Sequence, residues 1–264
     1  MKKLFILPII ILLIIGLILL LNYNQSTKIL YSWQIKDITS PKFTKVLDKL
    51  HINTLYQEFN TTYLTGKDNT FIKNMTKKNI KVYDLAGDPS WGSNPKEIKK
   101  ELTKIITYNK NNKYKITGVV LDIESYRAKT TFNFKDYTAN LTKAYNYAHK
   151  HNLEVILVIP YWYDTISLTT LKELIKNASD GISVMNYNIN KTTSNIKNEI
   201  KICQKYHKSI NTIYEINMTD SKYFTSYEAI TKDYQNIKTN TNYQALGIAY
   251  HDYNNIIKNS NLLN

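Results

Sequence analysis

Two acids spaced by one residue, Asp122 and Glu124, close an apolar run at positions 116–126, ITGVVLDIESY. In an extended strand successive side chains alternate, so Val120, Asp122 and Glu124 share one face and Val119, Leu121 and Ile123 the other. With Val120 turned to a packed centre, the two carboxyl groups emerge side by side at the carboxyl end of the strand. Parallel α/β proteins keep their chemistry there. Neighbouring carboxylates repel when both are ionised, so such a pair shares a proton or a partner. It suits acid/base work, in which one group moves a proton while the other holds charge.

The rest of the chain repeats one strand-then-helix unit around this stretch. Strands are expected at 29–35, 52–59, 80–86, 116–126, 153–161, 181–187, 211–216 and 245–250. Helices are expected at 41–50, 68–78, 95–111, 134–151, 168–177, 195–207 and 226–238, followed by a short tail from Asn254. Ser40-Pro41 and Asn94-Pro95 each supply an N-cap and a first-turn proline, and Glu97 completes a capping-box pattern with Asn94. Near-continuous apolar strands joined by helical crossovers predict a parallel sheet buried on both faces. The expected fold is therefore α/β, a single (β/α)8 TIM barrel over residues 29–264. An open doubly wound sheet would want a glycine-rich turn after the first strand, and Trp33-Gln34-Ile35-Lys36-Asp37 has no glycine.

Ahead of the barrel, Lys2 and Lys3 precede an uninterrupted apolar run at 4–21, long enough for a membrane-spanning helix. No small-residue cleavage pattern follows it, so a signal anchor over residues 1–21 and a tether over 22–28 are expected. That places the chain as a single-pass protein of the cell membrane with its barrel outside the cell. The 264 residues carry a net charge of +14, which suits an anionic neighbourhood. The lysines are scattered along helices, and no nucleic-acid module is visible. Cys203 is the only cysteine, which excludes an internal disulfide and a cysteine-based metal site. No cofactor or metal is called for, and a monomer is expected.

The mouth of such a barrel collects Glu58, Asp84, Asp88, Asp122, Glu124, Asp164, Asn186, Asn188, Glu215, His251 and Asp252, with Trp91, Tyr126, Tyr161, Trp162, Tyr187 and Tyr253 among them. Carboxylates beside flat aromatic faces are what a sugar site needs. The expected assignment gives catalysis to Glu124, Asp122 and Glu215. Substrate binding falls to Glu58, Asp84, Trp91, Tyr126, Trp162, Asp164, Asn186, Tyr187, His251 and Asp252. A plainer role remains for some of these: Asp164 can cap the helix after it, and Asp88 can shape a turn before Pro89.

Residues 117–124, TGVVLDIE, resemble the end of the DxxDxDxE signature of chitinase-type (family eighteen) glycoside hydrolases, which are (β/α)8 barrels. Residues 183–188, SVMNYN, resemble that family's Met-x-Tyr-Asp motif. The resemblance implies Glu124 as general acid, Asp122 as the group that orients the substrate's acetamido substituent, and Tyr187 as a second orienting hydroxyl. Thr117, Val120 and Asn188 stand where the family has aspartates. A broader resemblance, to uncharacterised bacterial barrel proteins with motifs like GDPSW, LDxEPY and AIHxY, covers nearly the whole region after the tether. It is carried by residues 87–91, 121–126 and 248–253. Within the same fold, Glu124 and Glu215 also occupy the strand-four and strand-seven stations of an acid/base and nucleophile pair. These readings converge on a glycosidase acting on a cell-surface or matrix polysaccharide. The alternatives are a carbohydrate-binding barrel without turnover, and a metal-dependent hydrolase such as a phosphodiesterase that uses Glu58, Asp122, Glu124 and His251.

Overall fold

The computed structural model describes residues 26–59, 63–128, 133–187, 189–259 and 262–263. The expected anchor and Asn188 lie outside these residues. Among the described residues no helix is long and apolar enough to cross a membrane.

Eight parallel strands close into one barrel in chain order: β1 Lys28–Ser32, β2 Thr54–Gln57, β3 Lys81–Ala86, β4 Gly118–Leu121, β5 Glu154–Pro160, β6 Gly181–Met185, β7 Ser209–Glu215 and β8 Leu246–His251. The crossovers carry α1 Pro41–Lys49, α2 Gly66–Lys77, α3 Pro95–Asn111, α4 Phe134–His149 and α5 Tyr163–Asn177. After β6 the single expected helix is two, α6 Thr192–Asn195 and α7 Lys197–Tyr206; α8 Tyr227–Thr241 and α9 Tyr253–Asn259 complete the ring. Two further differences from expectation are local. α5 starts five residues early because a turn of helix at Tyr163 runs into it across the extended Ser167, and the tail after β8 is helical.

The capping chemistry explains where the helices start. The Ser40 hydroxyl accepts from Lys42 N, and Thr65 with Asp68 forms a reciprocal capping box. Asn94 makes no side-chain cap bond, so α3 relies on Pro95 at its first turn. Helix faces then bury in register, as with Phe43, Val46 and Leu47 of α1, spaced three and four apart. Burying each such side chain is worth about 1.5–3 kcal/mol.

Two cores result. Helices and the outer sheet face enclose the larger one, which holds Val119, Leu121 and Ile123. The barrel interior is the smaller, and Val120 lies in it with Ile29, Leu85, Ile156, Val158 and Ile213. Its centre is unusually rich in hydroxyls. Tyr31, Tyr56 and Tyr83 meet edge to face at 5.1 and 5.4 Å. Asn211 Nδ2 donates to Tyr56 Oη (3.3 Å) and Ser183 Oγ (3.1 Å), and Tyr83 O–H donates to Glu154 Oε2 (2.5 Å) at the floor.

Candidate functional site

The alternation that puts Val120 inside the barrel carries Asp122 and Glu124 up the same face to the mouth. Their backbone is seated by the turn after β3. Asp122 N–H donates to Ala86 O (2.9 Å), and Gly87 lies so close that an added Cβ would meet Asp122 O at 1.9 Å. Gly92 packs as tightly, with a Cβ position 2.0 Å from Ser125 Oγ, and that hydroxyl donates to Pro89 O (2.9 Å). The segments 87–92 and 121–126 are thus one packed unit, and the glycines are what permit the approach.

Asp122 lies half-buried above Val120, and its Oδ1 is buried with no hydrogen-bond partner among the described residues. Burial, and then the charge of Glu124, push its carboxyl up to about 7. Glu124 is half-buried and held from its own loop: Tyr126 O–H donates to Oε2 (2.5 Å), and Arg127 Nη1 donates to Oε1 (3.1 Å) and Oε2 (3.3 Å). The end of β6 brings Tyr187 to the same place. Its hydroxyl is pushed well up, first by burial and then by the carboxylates of Asp122, Glu215 and Glu124. All three acids expected to be catalytic therefore lie within electrostatic reach of one tyrosine.

Glu215 follows Ile213 on the inward face of β7. Burial raises its carboxyl, the charge of Asp252 raises it further, and Asn255, which donates to Oε1 (3.2 Å), opposes both. The charge of Glu124 acts on Asp122, whereas that of Asp252 acts on Glu215. Tyr187 stands among them. Asp252 Oδ1 also accepts from Asn255 N (2.8 Å), the first-turn cap of α9.

His251 completes the floor of the mouth. Its ring packs against Tyr31 (5.5 Å) and Tyr187 (6.0 Å), and Trp33 Nε1 donates to its Nε2 (3.1 Å). Burial lowers its pKa against the opposing charges of Asp252 and Glu124, so the ring is neutral near pH 7. An indole N–H only donates, so Nε2 is unprotonated and the ring proton sits on Nδ1. That Nδ1–H is buried with no partner among the described residues.

Other expected site residues divide by position. Tyr126 and Trp162 form an aromatic rim beside Glu124, with ring centroids 4.8 Å apart. Glu58 and Trp91 line a separate side cleft of about 400 Å³, together with Asp88, Glu101 and Lys104. Asp84 and Asn186 are not at the mouth: both sit on the outward face of their strands. Asp84 is fully buried in an ion pair with Lys104 (3.1 Å), which also contacts Glu101 and donates to Phe59 O (2.9 Å). Asn186 donates to Thr192 O (2.9 Å) and accepts from Asn195 (3.1 Å), tying β6 to α6. Asp164, in the first turn of α5, accepts from Asn198 (2.7 Å) at the seam with α7. Among the described residues no three His, Cys, Asp or Glu side chains group as a metal ion would need. The set Glu58, Asp122, Glu124 and His251 is thus divided between cleft and mouth.

Tyr31, Trp33 and Arg127 are site residues that sequence reasoning missed. The first two were marked by their alternation with Ile29 on the inward face of β1, and Arg127 by lying three residues after Glu124.

The barrel superposes on solved chitinases. A chitinase from Chromobacterium violaceum aligns over 90% of this chain and 96% of its own, at 8% identity and TM-score 0.61. The Group IV chitinase of Ostrinia furnacalis, in complex with allosamidin, aligns over 88% and 93% at 10% identity and TM-score 0.58. A class V chitinase from Nicotiana tobaccum, in complex with NAG4, aligns over 86% and 94% at 9% identity and TM-score 0.57. These chitinases and this chain share the (β/α)8 barrel fold. No family model and no curated relative matches the chain. At these identities the likeness is one of architecture, and what the barrel does here depends on its own residues.

Proposed function

We propose that this protein is a membrane-anchored glycoside hydrolase whose barrel lies outside the cell and cleaves a cell-surface or matrix polysaccharide, with Glu124 as general acid. The observation that carries this reading is the convergence of Asp122, Glu124 and Tyr187 at the carboxyl ends of β4 and β6. Glu124 delivers its proton to the glycosidic oxygen. Asp122, raised to about 7, holds the one proton of the pair below neutrality, and it passes that proton to Glu124 as Glu124 protonates the glycosidic oxygen. The C–O bond breaks, water supplies the oxygen to the anomeric carbon, and the proton that water releases restores the pair. Tyr187 O–H and His251 Nδ1–H are the donors that orient the sugar, and Tyr126 with Trp162 offers ring faces at the rim.

Glu215 is the less favoured nucleophile because burial and the like charge of Asp252 disfavour its ionised form, and Asn255 occupies its Oε1. It lines the opposite wall. Val120 replaces the family aspartate beneath Asp122, so the Asp122 proton is shared toward Glu124 alone.

The test is release of reducing ends from NAG4, the ligand of the Nicotiana enzyme, and from cell-wall glycan. Glu124→Gln is expected to lower the rate about 10²–10⁴-fold at unchanged melting temperature. Unchanged cleavage would sink the assignment. One observation favours a second reading, a carbohydrate-binding barrel without turnover: Tyr126 and Arg127 already occupy Glu124. Glycan binding by the unaltered protein with no reducing ends released would establish it.

A further inference from the structure

The two ends of the barrel differ in charge. At the end opposite the mouth, the turns from helix into strand expose Lys49, Lys81, Lys113, Lys115, Lys150 and Lys205. The acids at this end are already engaged. Asp48 pairs with Lys78 (3.3 Å), Glu154 accepts from Tyr83, and Asp180 accepts from His149 (2.8 Å) and Val155 N (2.8 Å). Lysines in a last helical turn answer the helix dipole, which accounts for Lys49 and Lys205. Lys115, after α3, donates to Asn109 O in that helix's last turn, which leaves Lys81, at the start of β3, and Lys113, between α3 and β4, without such an account.

The chain enters the barrel at this same end. Ser26 O accepts from Asn53 Nδ2 (3.1 Å), and Ser26 Oγ accepts from Lys238 Nζ (2.5 Å), which fixes the entry point beside the starts of β1, β2 and β8. The apolar run ends at Leu21, five peptide steps earlier. Fully extended, those steps reach about 17 Å. A lysine side chain and one Debye length of about 8 Å cover most of that distance.

We infer that the end of the barrel opposite the mouth docks on the anionic phospholipid headgroups of the membrane that holds the apolar run. The lysines meet the phosphates, and the Asp122–Glu124 mouth points away from the bilayer. The inference rests on the membrane-anchored part of the proposed function and is independent of its chemistry.

The full chain, reconstituted in nanodiscs, is probed by lysine-acylation footprinting. Lys81, Lys113 and Lys150 are expected to label at least threefold more slowly in discs containing phosphatidylglycerol than in phosphatidylcholine discs. Lys36, Lys96 and Lys191, at the mouth end, label equally in both. The K81E/K113E/K115E variant stays in the disc and loses the protection at Lys150. Equal labelling of Lys81, Lys113 and Lys150 in the two discs overturns docking while leaving attachment intact. A chain that enters neither disc overturns the anchor and the docking together. Protection by dextran sulfate but not by phosphatidylglycerol assigns the face to a soluble polyanion and overturns the lipid reading. Glu124→Gln changes none of these labelling rates, whatever it does to hydrolysis.

Discussion

Asp84 and Asp122 are carboxylates near the ends of adjacent strands, the first fully buried and the second half-buried with one buried oxygen, and they have opposite surroundings. Asp84, on the outward face of β3, lies behind the sheet with Lys104 and Glu101. Asp122, one residue past β4 on its inward parity, has an oxygen with no partner among the described residues and an acid two residues on. A buried charge that is paired belongs to the architecture; one left unpaired is destabilising and is retained where a ligand or a proton completes it. The difference between the two acids is one of strand parity, a single residue's shift.

The largest expected effect on this contrast comes from removing Asp84's partner. Lys104→Ala leaves the fully buried Asp84 beside the half-buried Glu101 without their cation, and should destabilise the barrel by about 3–5 kcal/mol in urea unfolding. Specific activity of the fraction still folded should hold. A loss under 1 kcal/mol would mean that water already compensates the pair.

Asp122→Asn should do the reverse, because here ionisation is the strain. The folded state raises the Asp122 carboxyl to about 7 from its ordinary value of 3.8. The folded protein therefore holds a proton that the unfolded chain releases, and stability falls as pH rises from about 4 through 7. Asn cannot ionise. The variant should match the parent below pH 4 and exceed it by about 2–4 kcal/mol above pH 7, while losing the limb of the pH–activity profile near neutrality. A constant difference across this range would show that the pair is not coupled to folding.

Trp33→Phe is the mildest change. It removes one donor to His251 Nε2 and should lower stability by about 0.5–1.5 kcal/mol, measured by thermal unfolding. Its sharper readout is the ¹⁵N spectrum of His251: the parent should show the Nδ1–H tautomer alone and the variant a mixture. An Nε2–H parent would remove Nδ1 as a sugar donor.

Much of the molecule was legible in the chain. The repeated strand-helix rhythm determined eight parallel strands, and apolar triplets such as Phe43, Val46 and Leu47 determined the helix faces. Ser40-Pro41 fixed a helix start because capping is local chemistry. The position of Asp122 and Glu124 was readable because Val120 belongs inside the barrel and the side-chain period is two. The same reasoning failed for Asp84 and Asn186. In β3 every residue from Val82 to Ala86 is buried, so the sequence there has no polar and apolar faces to tell inward from outward.

The sequence by itself determined what each strand can hold at its end, because alternation and capping act over a few residues. Only the tertiary structure decided which ends meet. Tyr187 stands among Asp122, Glu124 and Glu215, and Trp33 meets His251 across the closure of the barrel, because register and closure set those contacts between residues far apart in the chain. Tertiary packing likewise decided that Lys104 reaches Asp84 while Asp122 Oδ1 is left without a partner among the described residues.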